Sequence, residues 1–175
     1  MPPPEVWGPP VWTLFHALAE NVNEEHYRLI AASLFGFIHR ICTYLPCPDC
    51  ANDATRFLSN VKMQNIQTKQ GLINTLYLFH NHVNIKKRKP LFNFANITKY
   101  AGLNLITVFN NFASVYNTAG NMKLIAESFQ RKMILVDFRK WFVRHIRFFI
   151  KPIPVQEQIE SPSAVTVDDT TPNTV

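Results

Sequence analysis

The sequence predicts an all-α protein, and three observations carry that expectation. Apolar residues recur at spacings of three and four along nearly the whole chain. Strand-like alternation bounded by turn residues is hard to find. Asn23, Pro46 and Pro90 fall between the periodic runs and punctuate them. A first helix is predicted from about Pro10 to Val22, with Trp12, Phe15, His16 and Ala19 on one stripe. Asn23 is the expected cap of a second helix, whose Ile30, Leu34, Phe37, Ile38 and Ile41 mark a buried face until Pro46 stops it. A short third helix opens at Cys50 and runs through about Leu58, with Asp49 as its cap. A fourth, from about Thr68 to Asn84, turns Leu72, Ile73, Leu76, Phe79, His80 and Val83 inward before IKKRKP ends it. A fifth helical region covers about Ile97 to Tyr116, and a sixth runs from about Met122 to Ile150. The remaining tail is acidic, rich in Pro, Thr and Ser and without apolar periodicity, so it is expected to be disordered.

With 175 residues, 47% of them apolar and 13% aromatic, the chain can bury a core. No uncharged apolar run of about 18 residues is present to span a membrane, and MPPPEVWGPP has the features of neither a secretory signal nor a transit peptide. The default compartment is therefore cytosolic. Charge is unevenly placed: residues 1–85 carry a net −1, residues 86–151 a net +11 and residues 152–175 a net −4.

The three cysteines are Cys42, Cys47 and Cys50, too few for a framework of structural disulfides. C-x-x-C alone fits a metal site, a staple or a redox dithiol. At the start of a helix, unpaired N–H groups and a positive partial charge favour thiolate over thiol, which makes such a cysteine reactive. Cys47, Cys50, His80 and His82 equal a zinc ligand set in number. However, positions i and i+2 of a helix point about 200° apart, so no metal site is assigned. Trp12 and His16, four apart, stack on one helix face beside a Gly-Pro start; for an isolated pair of this kind core packing is the favoured explanation. His80 and Asn84 share a face with Val83 beside them, and Lys86 and Lys89 follow. Imidazole, amide and cations are what a flat heteroaromatic ligand with a diphosphate requires, although KKRKP by itself reads as a solvated charged run.

Taken in order, the chain shows W-G-x-x-x-W-x-x-x-H at Trp7, Gly8, Trp12 and His16, then P-C-x-x-C at Pro46, Cys47 and Cys50. H-N-x-V-N-x-x-x-x-K-P-x-F follows at His80, Asn81, Val83, Asn84, Lys89, Pro90 and Phe92. This series resembles the Erv/ALR-type FAD-linked sulfhydryl oxidases over residues 7 to about 100, in the compact form encoded by large DNA viruses. The resemblance implies a four-helix bundle plus a short fifth helix holding FAD, usually as a homodimer. It implies that Trp7, Gly8, Trp12 and His16 approach the flavin and adenine, that His80, Asn81, Val83 and Asn84 hold the adenine and ribose, and that Lys86 and Lys89 lie near the diphosphate. Phe92 completes the motif, and Tyr100 stands for the aromatic that the family places after K-P-x-F. Cys47 would meet substrate thiols and Cys50 would face the flavin, with molecular oxygen as final acceptor and hydrogen peroxide as product. Neither a second shuttle cysteine pair nor a cysteine pair to tie the fifth helix to the fourth is present. Cys42 is expected to be a buried inert thiol, and the electron donor a separate protein dithiol of the thioredoxin-like or small C-x-x-C kind. A viral source would place the protein in host cytoplasm or virion; the family alternative is the mitochondrial intermembrane space.

These readings divide the chain into an oxidase domain (1–102), a basic helical extension (103–151) and the acidic tail (152–175). In the extension, Lys140, Arg144, Arg147 and Lys151 form one stripe and Phe138, Phe142, Ile146 and Phe149 another. Packing on the core or an added dimer contact is the expected use, with peripheral membrane contact by residues 122–151 as the alternative. No stacked-aromatic pattern supports nucleic-acid binding. The competing function is a catalytically silent dimeric platform whose basic helix binds a membrane or partner.

Overall fold

The computed structural model describes residues 3–117 and 125–149. Among them are six α-helices, α1 (Pro4–Asn21), α2 (Glu24–Thr43), α3 (Pro48–Ser59), α4 (Lys69–Lys86), α5 (Leu105–Tyr116) and α6 (Ile125–His145), and no strand. Short 3-10 segments lie at Met63–Ile66, Phe94–Tyr100 and Ile146–Phe148. No helix of the described residues is long and apolar enough to cross a membrane.

The first helix starts six residues before the expected Pro10. Pro4 occupies its first position, where the fixed φ suits a helix start. Pro9 and Pro10 lie inside it and cannot donate to the carbonyls of Glu5 and Val6, but those two residues are exposed, so water can take the bonds. Buried Trp7 anchors this first stretch.

Asn23 does precede α2, yet its side chain makes no capping bond; its backbone N–H donates to Phe148 O (2.7 Å). α2 ends at Thr43, ahead of Pro46. α3 opens at Pro48, two residues before the expected start, and its cap is Cys47, not Asp49. Thr68 caps α4 by accepting from Gly71 N–H (3.0 Å). Residue 71 has to be glycine because a Cβ would run into the backbone carbonyl of Asn65.

The expected single helix over 97–116 is two elements. Gly102 adopts φ +74°, which ends the 3-10 segment, and the Asn104 side chain then caps α5 by accepting from the N–H groups of Ile106 and Thr107 (both 3.0 Å). Asn21 stitches the break to α1: its amide donates to Tyr100 O (2.8 Å) and accepts from Gly102 N–H (2.7 Å).

One core joins the helices. Leu14, Phe15 and Leu18 of α1 meet Ile30, Leu34 and Ile38 of α2 and Leu72, Leu76 and Phe79 of α4, all buried. α5 lies along α1, and Tyr116 OH donates to Ile41 O of α2 (3.0 Å). α6 runs antiparallel to α2: Asp137 pairs with Arg40 (2.9 Å), Phe138 meets Phe37 edge to face, and Trp141 Nε1 donates to Ser33 Oγ (3.0 Å). Phe138, Phe142 and Phe149 are buried and Ile146 half-buried, while Lys140, Arg144 and Arg147 are exposed, as the two predicted stripes require. The predicted start of this helix at Met122, its end at Ile150, Lys151 and the tail from residue 152 lie outside the described residues.

Candidate active site

Cys47 and Cys50 are joined in a disulfide, with Cα atoms 5.2 Å apart. Pro46 and Pro48 flank the first sulfur, so the chain is extended at Cys47 (φ −140°, ψ 110°) and turns helical immediately after it. Cys47 Sγ accepts from Cys50 N–H (3.3 Å), which makes a sulfur of the bridge the cap of α3. The Cys50 N–H and the partial positive charge of that helix end therefore favour a thiolate at Cys47 whenever the bridge opens. Both residues are half-buried.

Beside this disulfide lies a cleft of about 620 Å³ between α1, α3 and α4. Its wall contains Cys50 but not Cys47. The α1 side contributes Trp7, Gly8 and Trp12, the α4 side His80, Val83, Asn84 and Lys86, and the segment beyond α4 Lys89, Phe92 and Tyr100. Ten of the twelve residues expected to bind a cofactor thus line one cavity, together with one of the two cysteines expected to be catalytic.

The other two stand behind the wall. His16 is buried and shares a hydrogen bond with His80, Nε2 to Nδ1, at 3.0 Å. Burial, with His80 and Lys99 nearby, lowers the His16 pKa from 6.5 to about 3, and burial with Lys99 lowers that of His80 to about 4, so both imidazoles are neutral at physiological pH. His80 is sandwiched between Trp12 (centroids 4.1 Å, planes 6° apart) and Phe92 (4.6 Å, 15°). Asn81 turns away from the cleft: its amide donates to Phe92 O (3.1 Å) and its Oδ1 accepts from Phe92 N–H (2.7 Å). His82 reaches the cleft wall and packs its ring against Phe57 of α3. The two histidines required for the zinc reading therefore serve different neighbours, and the two sulfurs serve each other.

Asp53 and Lys99 are among the cleft residues that escaped the sequence reading. Asp53 follows Cys50 by three residues, a spacing that puts it on the same helix face, and it pairs with Lys86 across the mouth. The hydrogen bond from Lys86 holds its carboxyl below the ordinary range. Lys99 has no motif to announce it, yet its ammonium sits over the rings of Phe92 (5.5 Å) and Tyr100 (5.0 Å). Cys42 also reaches the cleft wall; it is fully buried and its thiol is pushed far up by desolvation, which keeps it protonated and inert.

One feature marks the cleft as built for a ligand. Trp7 Nε1 is buried without a hydrogen-bond partner among the described residues, which is costly unless a bound group supplies an acceptor. Gly8 lines the same wall. An aromatic stack, an imidazole and amide edge and a rim of lysines suit a flat heteroaromatic dinucleotide such as FAD.

Comparison with known proteins agrees with this chemistry. "Putative FAD-linked sulfhydryl oxidase 347L" of Invertebrate iridescent virus 6 is 29% identical over 94 residues, covering 50% of this chain and 85% of that protein. "Putative FAD-linked sulfhydryl oxidase 096R" of Invertebrate iridescent virus 3 is 27% identical over 88 residues, covering 50% and 60%. "Mitochondrial FAD-linked sulfhydryl oxidase erv1" of Schizosaccharomyces pombe is 26% identical over 87 residues, covering 49% and 48%. No solved structure matches the chain. The Erv1 / Alr family model matches residues 9–101, which include both cysteines of the bridge and most of the cleft wall, and the chain belongs to that family.

Proposed function

We propose that the protein is an FAD-dependent sulfhydryl oxidase that forms disulfides in protein thiol substrates through Cys47 and Cys50, with residues 1–102 as its oxidase unit. The observation that carries this reading is the asymmetry of the bridge: Cys50 lies on the cleft wall, whereas Cys47 lies off it at a helix start.

A substrate thiolate attacks Cys47 Sγ, the Cys47–Cys50 bond breaks, and Cys50 leaves as a thiolate. A second substrate thiolate then displaces Cys47 from the mixed disulfide. The substrate leaves oxidised, and its two electrons reside on the Cys47 and Cys50 dithiol. FAD, when bound, would supply a two-electron acceptor for that dithiol, with molecular oxygen as the final acceptor and hydrogen peroxide as the product. Trp7, Gly8 and Trp12 would hold it from α1, His80, Val83 and Asn84 from α4, and Phe92 and Tyr100 from the far wall. Lys86 and Lys89 would face its diphosphate. His16 and Asn81 act through other residues, His16 by fixing the His80 ring and Asn81 by fixing the backbone at Phe92.

The one cysteine of this sequence outside the bridge, Cys42, is buried, which supports a substrate that reaches Cys47 directly. This supports a separate thioredoxin-like or small C-x-x-C protein as donor. The family resemblance supports a homodimer, and the two viral relatives support host cytoplasm or virion as the place of action.

The test is a visible absorption spectrum of the purified protein, then oxygen uptake in the same cuvette on adding dithiothreitol, with Cys50→Ser alongside. Flavin bands and uptake that vanishes in the variant are expected. A colourless protein, or a yellow one whose uptake is indifferent to Cys50, would overturn the reading.

A further inference from the structure

We propose that the outer face of α6 docks on an anionic lipid surface, laying the protein flat on a membrane with its redox cleft left clear. α6 is apolar on two sides. One side, with Ile134, Phe138, Trp141 and Phe142, is buried in the fold. The opposite side leaves Phe129 59%, Val136 41% and Val143 63% exposed. These three are seven residues apart, a spacing that drifts only about 20° per step, so they form one line along a helix about 30 Å long.

Cations flank that line: Lys132 and Arg139 on one side, Lys140 and Arg144 on the other, all exposed. No carboxylate of the described residues competes on this face. The two acids of α6 are engaged elsewhere, Asp137 with Arg40 (2.9 Å) and Glu127 with Arg131 (3.7 Å).

The occupant follows from that pattern. Phosphate groups of a nucleic acid would pair with the cations but offer nothing to three exposed apolar side chains in a row. A second copy docked by two-fold symmetry would set the same cations against each other. An anionic leaflet satisfies both halves, since lysine and arginine reach phosphate and carboxylate headgroups while the apolar line enters the acyl boundary. No residue of α5 or α6 lines the cleft, so docking leaves the Cys47–Cys50 site accessible.

The experiment is flotation of the full chain with vesicles of phosphatidylcholine alone and of phosphatidylcholine with about a third phosphatidylserine. The expected result is binding to the second only. Lys140→Ser/Arg144→Ser should weaken it about 25-fold, from about fivefold per cation, and Phe129→Ser/Val136→Ser at unchanged charge should weaken it severalfold. Far-UV circular dichroism checks that the variants fold, and Val143→Ser gives a milder version of the apolar change. Equal binding to both vesicles, no binding by the full chain, or indifference to either double variant would overturn the proposal. So would a fall in sedimenting mass for Phe129→Ser/Val136→Ser, which would make the face a contact between copies, or binding of duplex DNA in place of vesicles.

Discussion

Replacing Asn81 with alanine tests whether this buried amide serves the backbone of Phe92. Its two hydrogen bonds, 2.7 Å from Phe92 N–H and 3.1 Å to Phe92 O, hold the strand of chain that returns from α4 across the cleft. Each such bond contributes about 1 kcal/mol net, so Asn81→Ala should cost about 2 kcal/mol. For a chain of 175 residues this lowers the melting temperature by about 4–8 °C. The assay is thermal unfolding of the wild type and the variant at equal flavin content, with amide exchange at Phe92 as the local readout. Phe92 N–H should exchange faster in the variant, since its acceptor is gone. Asn81→Asp supplies a second test: it keeps an acceptor for Phe92 N–H but places a carboxylate against Phe92 O, so it should be at least as destabilising as alanine. A shift below about 1 °C with unchanged exchange at Phe92 would refute the reasoning and return Asn81 to the role of a direct ligand contact.

Two further perturbations follow from the geometry. His16 and His80 have folded pKa values of about 3 and about 4, below the 6.5 of an unfolded histidine, so the unfolded chain binds more protons between those limits. Their neutral pairing contributes stability that is fully present above about pH 6.5 and lost as pH falls toward 4; urea unfolding across that range should show the loss, and His16→Gln/His80→Gln should flatten it. Gly71→Ala drives a methyl group into the Asn65 carbonyl at the start of α4 and should destabilise by about 1–3 kcal/mol in the same unfolding assay; an unchanged midpoint would show that the turn yields freely.

The site was legible wherever one helix face carried it. His80, Val83 and Asn84 sit at i, i+3 and i+4 and do line one wall, and Trp7, Gly8 and Trp12 line the facing one. Asn81 is one residue from His80 and so about 100° around the helix; its partner is a backbone eleven residues on, which no local spacing reveals. Lys99 was illegible for the same reason, because a 3-10 segment carries it to the cleft. Proline misled the reading of α1, since the rule against proline in helices weakens where the orphaned carbonyls face water. The break between the 3-10 segment and α5 turned on Gly102 and Asn104, two residues inside an otherwise continuous apolar period.

Cys47 and Cys50 are three residues apart, yet the fold gives them different electrostatic surroundings, and the proposed division of labour rests on that difference. Cys47 has the N–H of Cys50 aimed at its sulfur and the positive end of α3 behind it, so a thiolate there is stabilised locally. Cys50 shares a helix face with Asp53, whose carboxylate would by itself disfavour a second thiolate nearby. Lys86 offsets that charge by pairing with Asp53 across the cleft mouth, which links the basic run after α4 to the sulfur chemistry on α3. Under this reading the cleft lysines have two tasks: Lys86, Lys89 and Lys99 present charge to the ligand space, with Glu5 3.8 Å from Lys89, and Lys86 in addition keeps Asp53 from opposing the release of Cys50 as a thiolate.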